Sequence, residues 1–494
     1  MNGVQGKEIV SFLHTKSASS SVVVIRYIQG ITGHGLAKAI GEYLDSRRAG
    51  AAVSESLQNA TGQTSPSHTS TRRISARTAR RWLKRNGFSY GDAKKDVYFD
   101  GHEREDVVKY REEVFLKAWQ EHSRRFVIFK EDGSWEKPPG LRPGEKPLVL
   151  VTHDESTFNA NDGKRRFWSK KGEQQIRPKS RGKGIMISGF LTPGGILKVP
   201  DHLSDEELLS DPTWPKDGTG KPVREGLHYF EYGKDNYWTG DKMVEHTARV
   251  AVPIFKRAFP DCEALFAFDN ASNHCAFAAD ALVASKMNLL PGGKQPLLRD
   301  GFDHNRGMPQ RMIFDNDHPD YALRGKAKGI RQVLGERGLW RERRADGFRF
   351  LLLCPKTHDR PGCDPGLNGE CCATALLQSQ RDFAEQKGRL QEEVEAAGHS
   401  VIFYPKFHCE LNFIERFWCA SKHYARENCE YNLNGLRKTL PAACKSVSTA
   451  SINRYYQHCC RIIEAYIEGH KYGTEAFVER AYKSHRRVAD KSKW

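Results

Sequence analysis

Three acids in this sequence have the surroundings needed for metal chemistry. Asp154 and Asp269 each sit just past a short apolar run, at residues 148–151 and 264–268, and Glu415 lies in an amphipathic segment at 411–426. Carboxylates held together can bind Mg²⁺ or Mn²⁺, hard cations that favour oxygen ligands and phosphate. Two such ions, about 3.5–4 Å apart, activate an attacking oxygen and stabilise a leaving one. A lone Asp after a strand can equally cap a helix, and Asp269-Asn270-Ala271 would suit that role. Only the three acids in combination point to metal chemistry. At about 100° per residue, Glu415, Lys422 and Arg426 fall along one line of a helix, away from the apolar side of Ile414, Phe417, Trp418, Ser421 and Ala425. Such a line suits a metal site beside a phosphate backbone, although an exposed charged face would show the same pattern.

The elements that must position these acids can be read from periodicity. Strand-like runs are expected at 148–151, 165–168, 185–191, 196–199, 264–268 and 401–404, with a turn at 192–195. Helices are expected at 106–119, 240–259, 381–397 (ending at Gly398) and 411–426. This order predicts an α/β fold: a mixed sheet of ribonuclease-H type flanked by helices, its two parts separated by an insertion. If strands bearing Asp154 and Asp269 are neighbours, their C-terminal ends bring the two acids to one edge.

The chain carries 78 Lys and Arg against 61 Asp and Glu, a net charge of +17 over 494 residues. So basic a protein is expected to bind a polyanion. The charge is clustered at 71–90, 164–183 and 480–494. A helix expected at 74–87 places Ile74, Thr78, Trp82 and Leu83 on one side and presents Arg77, Arg80, Arg81 and Lys84 elsewhere. This is the pattern of a helix-turn-helix-like DNA-binding segment, and also of an ordinary basic surface helix. Residues 49–70, rich in Ser, Thr, Ala and Gly, read as a linker. No run is long and apolar enough to span a membrane, and no signal peptide is evident, so an intracellular protein with reduced thiols is expected. Cys354, His358, Cys363 and Cys371 could hold a structural Zn²⁺, with His408 and Cys409 as further ligands, but their spacing matches no common finger and a loop of free thiols fits as well.

The motifs resemble a known family. His153-Asp154-Glu155-Ser156, Phe268-Asp269-Asn270-Ala271-Ser272-Asn273-His274 and Glu410-Leu411-Asn412-Phe413-Ile414-Glu415-Arg416-Phe417-Trp418 are similar to the three signatures of mariner-like DDE transposases, and residues 75–97 resemble that family's DNA-binding region. Asp154, Asp269 and Glu415 fall on the family's catalytic positions. The resemblance implies cleavage of transposon ends and strand transfer into target DNA, double-stranded DNA partners (terminal inverted repeats and TA targets), a homodimer and action in the nucleus. The sequence departs from the family pattern at Cys409 and Phe413, where proline is usual. It departs again in the 145 residues that separate Asp269 from Glu415, a feature in which it resembles the larger fungal members. The expected division is an N-terminal region at 1–147 with its DNA-binding segment at 71–120, a catalytic core at 148–280 and 381–470, an insertion at 281–380, and a basic tail at 471–494. A catalytically silent DNA-binding descendant, or another nuclease of ribonuclease-H type, are the alternatives.

Overall fold

A computed structural model describes residues 101–164, 178–231, 237–271, 274–344, 347, 349–354 and 369–482. The chain divides into two compact units, residues 1–100 with 468–494 and residues 101–467. In the first, the described residues include the helix Glu475–Ala481, capped by Thr474, and an ion pair between Arg480 and Glu468 at 3.0 Å. The expected strand at 165–168 and basic helix at 74–87 lie outside the described residues. Among those described, no helix is long and apolar enough to cross a membrane.

The second unit is built on one mixed sheet. Its strands are β1 (Leu148–Asn159), β2 (Gly184–Thr192), β3 (Gly195–Ile196), β4 (Leu227–Glu231), β5 (Glu263–Phe268) and β6 (Ser400–Phe403). The order across the sheet is β4–β2–β1–β5–β6, with β3 folding back on the end of β2. The β4–β2 and β2–β1 pairs are antiparallel, while β1–β5 and β5–β6 are parallel. An antiparallel half joined at β1 to a parallel half is the ribonuclease-H arrangement anticipated from the order of elements.

β1 is longer than the apolar run suggests. Instead of ending before Asp154, it continues to Asn159. The parallel pairing to β5 stops at Thr152↔Ala267, but the antiparallel pairing to β2 runs on from Thr152↔Leu191 to Asn159↔Gly184. Beyond Thr152 one side of the strand has lost its neighbour, so the residues turn polar while the backbone stays extended. Asp154 therefore stands in mid-strand, at the point where the sheet opens. The return after the turn at 192–195 is also shorter than expected, because β3 pairs at only two positions.

Helices cover both faces. The segment 105–123 is helical throughout, as Glu105–Tyr110, a π turn at Arg111–Phe115, and Leu116–Ser123. The helix at 240–258 has the same form, with a π turn at Thr247–Ala251 just before Pro253. Proline has no N–H to donate and crowds the carbonyl four residues back, and a wider turn relieves both problems. Met243, Ile254 and Phe255 of this helix and Leu390 and Val394 of Arg389–Ala396 pack on Val149, Val151, Phe190, Phe266 and Phe268. On the opposite face lie α1 (Ile414–Glu427), α2 (Leu433–Lys445) and α3 (Thr449–Ile467), which contact β1, β2 and β3 respectively. The helix expected at 381–397 is broken. Arg381–Ala384 and Arg389–Ala396 are separate, and Gly398, at φ +84°, ends the second.

The segment between β5 and β6 has its own core, where Met312, Ile330, Val333, Leu334, Leu377 and Phe383 cluster. The buried Arg337 donates to both carboxylate oxygens of Asp382, at 2.9 and 2.7 Å. Its two ends are stitched together. Leu282 N donates to Gln386 Oε1 at 2.9 Å, Arg389 N donates to the Ala276 carbonyl at 2.9 Å, and Arg299 bridges Asp280 and Glu392.

Candidate metal centre

The alternation of β1 sorts its polar residues. Val149 and Val151 face the helix at 240–258, so His153 and Glu155 share that face, whereas Asp154 lies on the face of α1. The β1–β5 pairing ends at Thr152↔Ala267, two residues before Asp154 on one strand and Asp269, just past β5, on the other. Glu415 occupies the first turn of α1. The same helix brings Trp418 to Asp154, and its indole Nε1 donates to Oδ2 at 3.1 Å. The nearby acids Glu155 and Asp162 are engaged elsewhere, Glu155 with Trp238 Nε1 at 2.6 Å and Asp162 with Arg426 at 2.9 Å.

The start of α1 is fixed by Asn412, which is buried between a 3₁₀ turn at Cys409–Leu411 and the helix. Its Oδ1 accepts from Thr152 Oγ1 at 2.6 Å and from Ile414 N at 3.4 Å, and its Nδ2 donates to the His153 carbonyl at 3.2 Å. One side chain thus ties the helix carrying Glu415 to the strand carrying Asp154. Gly189, the β2 partner of Asp154, leaves room for the Trp418 ring, since a Cβ there would come within 2.9 Å of it. The 3₁₀ turn is itself anchored by Glu410, which accepts from His102 Nε2 at 3.2 Å, His408 Nδ1 at 2.7 Å and Tyr466 OH at 3.1 Å. Arg111, in its π turn, lies 3.4 Å from His408 Nε2. With Nδ1–H given to Glu410, His408 presents a lone pair to Arg111, so this group is coherent as a network of proton-carrying hydrogen bonds.

The electrostatics favour a cation. Burial, and then the charges of Glu415, Glu155 and Asp269, push the Asp154 carboxyl well above the usual carboxylate range. Burial also raises Glu415, with Lys422 opposing and Asp269 adding to the effect. Asp269 behaves oppositely: burial would raise it, but a short hydrogen bond with His274 Nδ1 outweighs that and lowers it. Crowded acids of this kind fit a divalent ion, whose charge relieves their repulsion. The three do not form a cluster of ligand atoms within 4.8 Å of one another; among the described residues only three other groups do.

The other sequence-derived candidates fare differently. Arg77, Arg80, Arg81 and Lys84 lie outside the described residues, as do His358 and Cys363. Lys422 sits over the Phe158 ring at 5.6 Å, and Arg426 is paired with Asp162. Cys354 and Cys371 do come together, joined by Cys372, whose sulfur accepts from Ala375 N at the start of a helix. His408 is committed to Glu410 and does not join these thiols. Sequence reasoning missed the supporting residues Asn412, Trp418 and His274. All three lie within the acidic motifs, at offsets of −3 and +3 from Glu415 and +5 from Asp269, and those offsets are the signal that could have marked them.

The fold is thus of ribonuclease-H type, and the acidic motifs it carries resemble those of mariner-like DDE transposases. No family model and no curated protein matches the chain. Among solved structures it is similar to the Mos1 transposase paired-end complex with left transposon end, at 11% identity and TM-score 0.38, over 94% of this chain and 96% of that one. It is also similar to the Mos1 mariner paired-end complex with Mn, at 10% identity and TM-score 0.37, over 96% and 99% of the two chains. A pre-cleavage Mos1 transpososome follows at 8% identity and TM-score 0.35, over 97% and 99%.

Proposed function

We propose that this chain is a DDE transposase that cuts the ends of its own element and joins them to target DNA. The observation that carries this reading is that the β1–β5 pairing ends two residues before Asp154 and Asp269, while the helix bearing Glu415 is tied to β1 by Asn412 and Trp418. Asp154, Asp269 and Glu415 would hold Mg²⁺ or Mn²⁺. Bound there, the ions would supply the charge stabilisation that phosphoryl transfer needs. The protein's own part is to keep Asp269 ionised through His274 and to shield Asp154 from water under Trp418. The net charge of +17 supports a DNA partner. The basic segment 71–90 would read the terminal repeats, and Lys422 would lie alongside the DNA backbone. Action as a homodimer in the nucleus completes the proposal.

The test uses the full chain and a plasmid carrying the DNA that flanks its coding region. Cleavage should require Mg²⁺ or Mn²⁺ and collapse in Asp269→Asn, while binding to the flanking DNA survives. Wild-type protein that binds these ends but cuts them with neither metal would establish the silent DNA-binding descendant instead. A mutant that cuts as well as wild type would reduce Asp269 to a turn residue.

A further inference from the structure

Behind the acidic centre, on the other face of β1, two histidines end in buried nitrogens that have no hydrogen-bond partner. His153 is fully buried, and its Nε2 lies 2.8 Å from Ser188 Oγ while its Nδ1 is left without a partner. His274 is 2% exposed; its Nδ1 is bonded to Asp269, and its Nε2 likewise lacks a hydrogen bond. The two rings stand nearly perpendicular at 89°, with centroids 5.6 Å apart. Glu155 closes the group, with Oε1 3.6 Å from His274 Nε2, and one ligand atom from each of the three residues lies within 4.8 Å of the other two. Burying the His153 nitrogen unpaired is costly, and His274 Nε2 has only the long contact to Glu155, so the three groups can close on a cation.

We propose that His153, His274 and Glu155 form a second metal site that takes one zinc-type divalent cation, distinct from the Asp154–Asp269–Glu415 centre. Each ligand is already held by a neighbour. Ser188 fixes the His153 ring, Asp269 fixes the His274 ring, and the Trp238 indole fixes Glu155 at 2.6 Å. Metal-binding histidines characteristically give their other nitrogen to a carboxylate or hydroxyl in this way, which sets the tautomer. Two imidazoles and one carboxylate match the donor set of a zinc site with its fourth position open to water. Mg²⁺ favours an all-oxygen shell, so the two sites would select different ions. A cation at His274 Nε2 would lock Nδ1–H toward Asp269 and hold that acid in place.

The group formed by His102, His408 and Glu410 makes a useful contrast. There the nitrogens facing Glu410 already have hydrogen-bond partners, and Arg111 stands beside His408. At the β1 site His153 Nδ1 has no hydrogen-bond partner, and His274 Nε2 stands 3.6 Å from Glu155 Oε1.

The proposal is tested on the full chain, stripped by chelator and titrated with Co²⁺ as a spectroscopic stand-in for zinc. Wild type and Asp154→Asn should each develop cobalt d–d absorption without sulfur-to-metal charge transfer, reversed by Zn²⁺. His153→Gln and Glu155→Gln should weaken that uptake by more than about 10-fold. Glu155, partly exposed, is the safer substitution, and circular dichroism checks that each variant folds. X-ray absorption of zinc-loaded wild type should count two imidazoles and no sulfur, and it needs no variant at all. Absence of this site in wild type, uptake that survives Glu155→Gln in folded protein, or a sulfur-ligated ion traced to Cys354 would each overturn it. None of these readings involves DNA cleavage, so they stand or fall apart from the proposed activity.

Discussion

Replacing Asn412 with Ala removes the tie between α1 and β1 without touching an acid. Three contacts are lost: the strong one from Thr152 at 2.6 Å, the one to the His153 carbonyl at 3.2 Å, and the weak one from Ile414 N at 3.4 Å. At about 1 kcal/mol for each good neutral hydrogen bond, and less for the third, the loss comes to about 2–3 kcal/mol. Thr152 keeps Tyr404 at 3.1 Å, so its hydroxyl is not stranded and the upper end of that range is not exceeded. Urea denaturation followed by tryptophan fluorescence should show a lower midpoint with an unchanged slope. Combining the change with Thr152→Val gives a double-mutant cycle, and the coupling should be about 1 kcal/mol. Mn²⁺ affinity should fall as well, because Glu415 sits on the loosened first turn. A stability loss under about 0.5 kcal/mol, the range of an ordinary surface substitution, together with zero coupling to Thr152, would show that α1 is held by its apolar side alone.

Asp154→Asn should stabilise the metal-free protein at mildly alkaline pH, read as a higher thermal midpoint in chelator. The folded carboxyl titrates above its unfolded value, so the stability of its neutral form is full below the unfolded pKa and lost as pH rises through the folded one. Mn²⁺ should raise the wild-type midpoint and leave the mutant's largely unmoved; the opposite pattern would remove Asp154 from the metal centre. Glu410 gives the reverse pH dependence. Burial opposes its charge, but bonds from His102 and His408 hold it down to about 2. Its stabilisation is therefore present above the usual glutamate range and lost as pH falls from about 4.5 toward about 2. Acid titrations of stability should flatten in that window for Glu410→Gln, and an unchanged slope would mean that Glu410 is neutral in the folded protein.

The strands that carry Asp154 and lead to Asp269 were legible because their apolar runs are buried in the sheet. The ribonuclease-H order followed from the same runs. The length of β1 was not legible, since its last residues pair on one side only and so lose the continuous apolar signature. The break at 385–388 had a signal in Gly388, which precedes the second helix as its N-cap residue, but the helix-forming residues on either side masked it; Phe383 turns into the core of the inserted segment. α2 and α3 went unread because no chemistry drew attention to them. The roles of Asn412, Trp418 and His274 depend on which strand lies across from them, information that spacing along the chain does not contain.

The stitched ends of the segment between β5 and β6 bear on how such a site tolerates growth of its own chain. Leu282, Gln386, Ala276 and Arg389 join the departing and returning strands at one place. The sheet therefore meets the inserted residues as though they were a short connection. Closing a longer loop costs only about (3/2)RT ln n, or some 0.6 kcal/mol per doubling, and a segment with its own apolar core offsets much of that itself. The 145 residues between Asp269 and Glu415 are thus a distance along the polymer that the sheet edge at these acids does not sense. The inserted segment can lengthen or shorten without moving β5 and β6, so long as the closure point is kept.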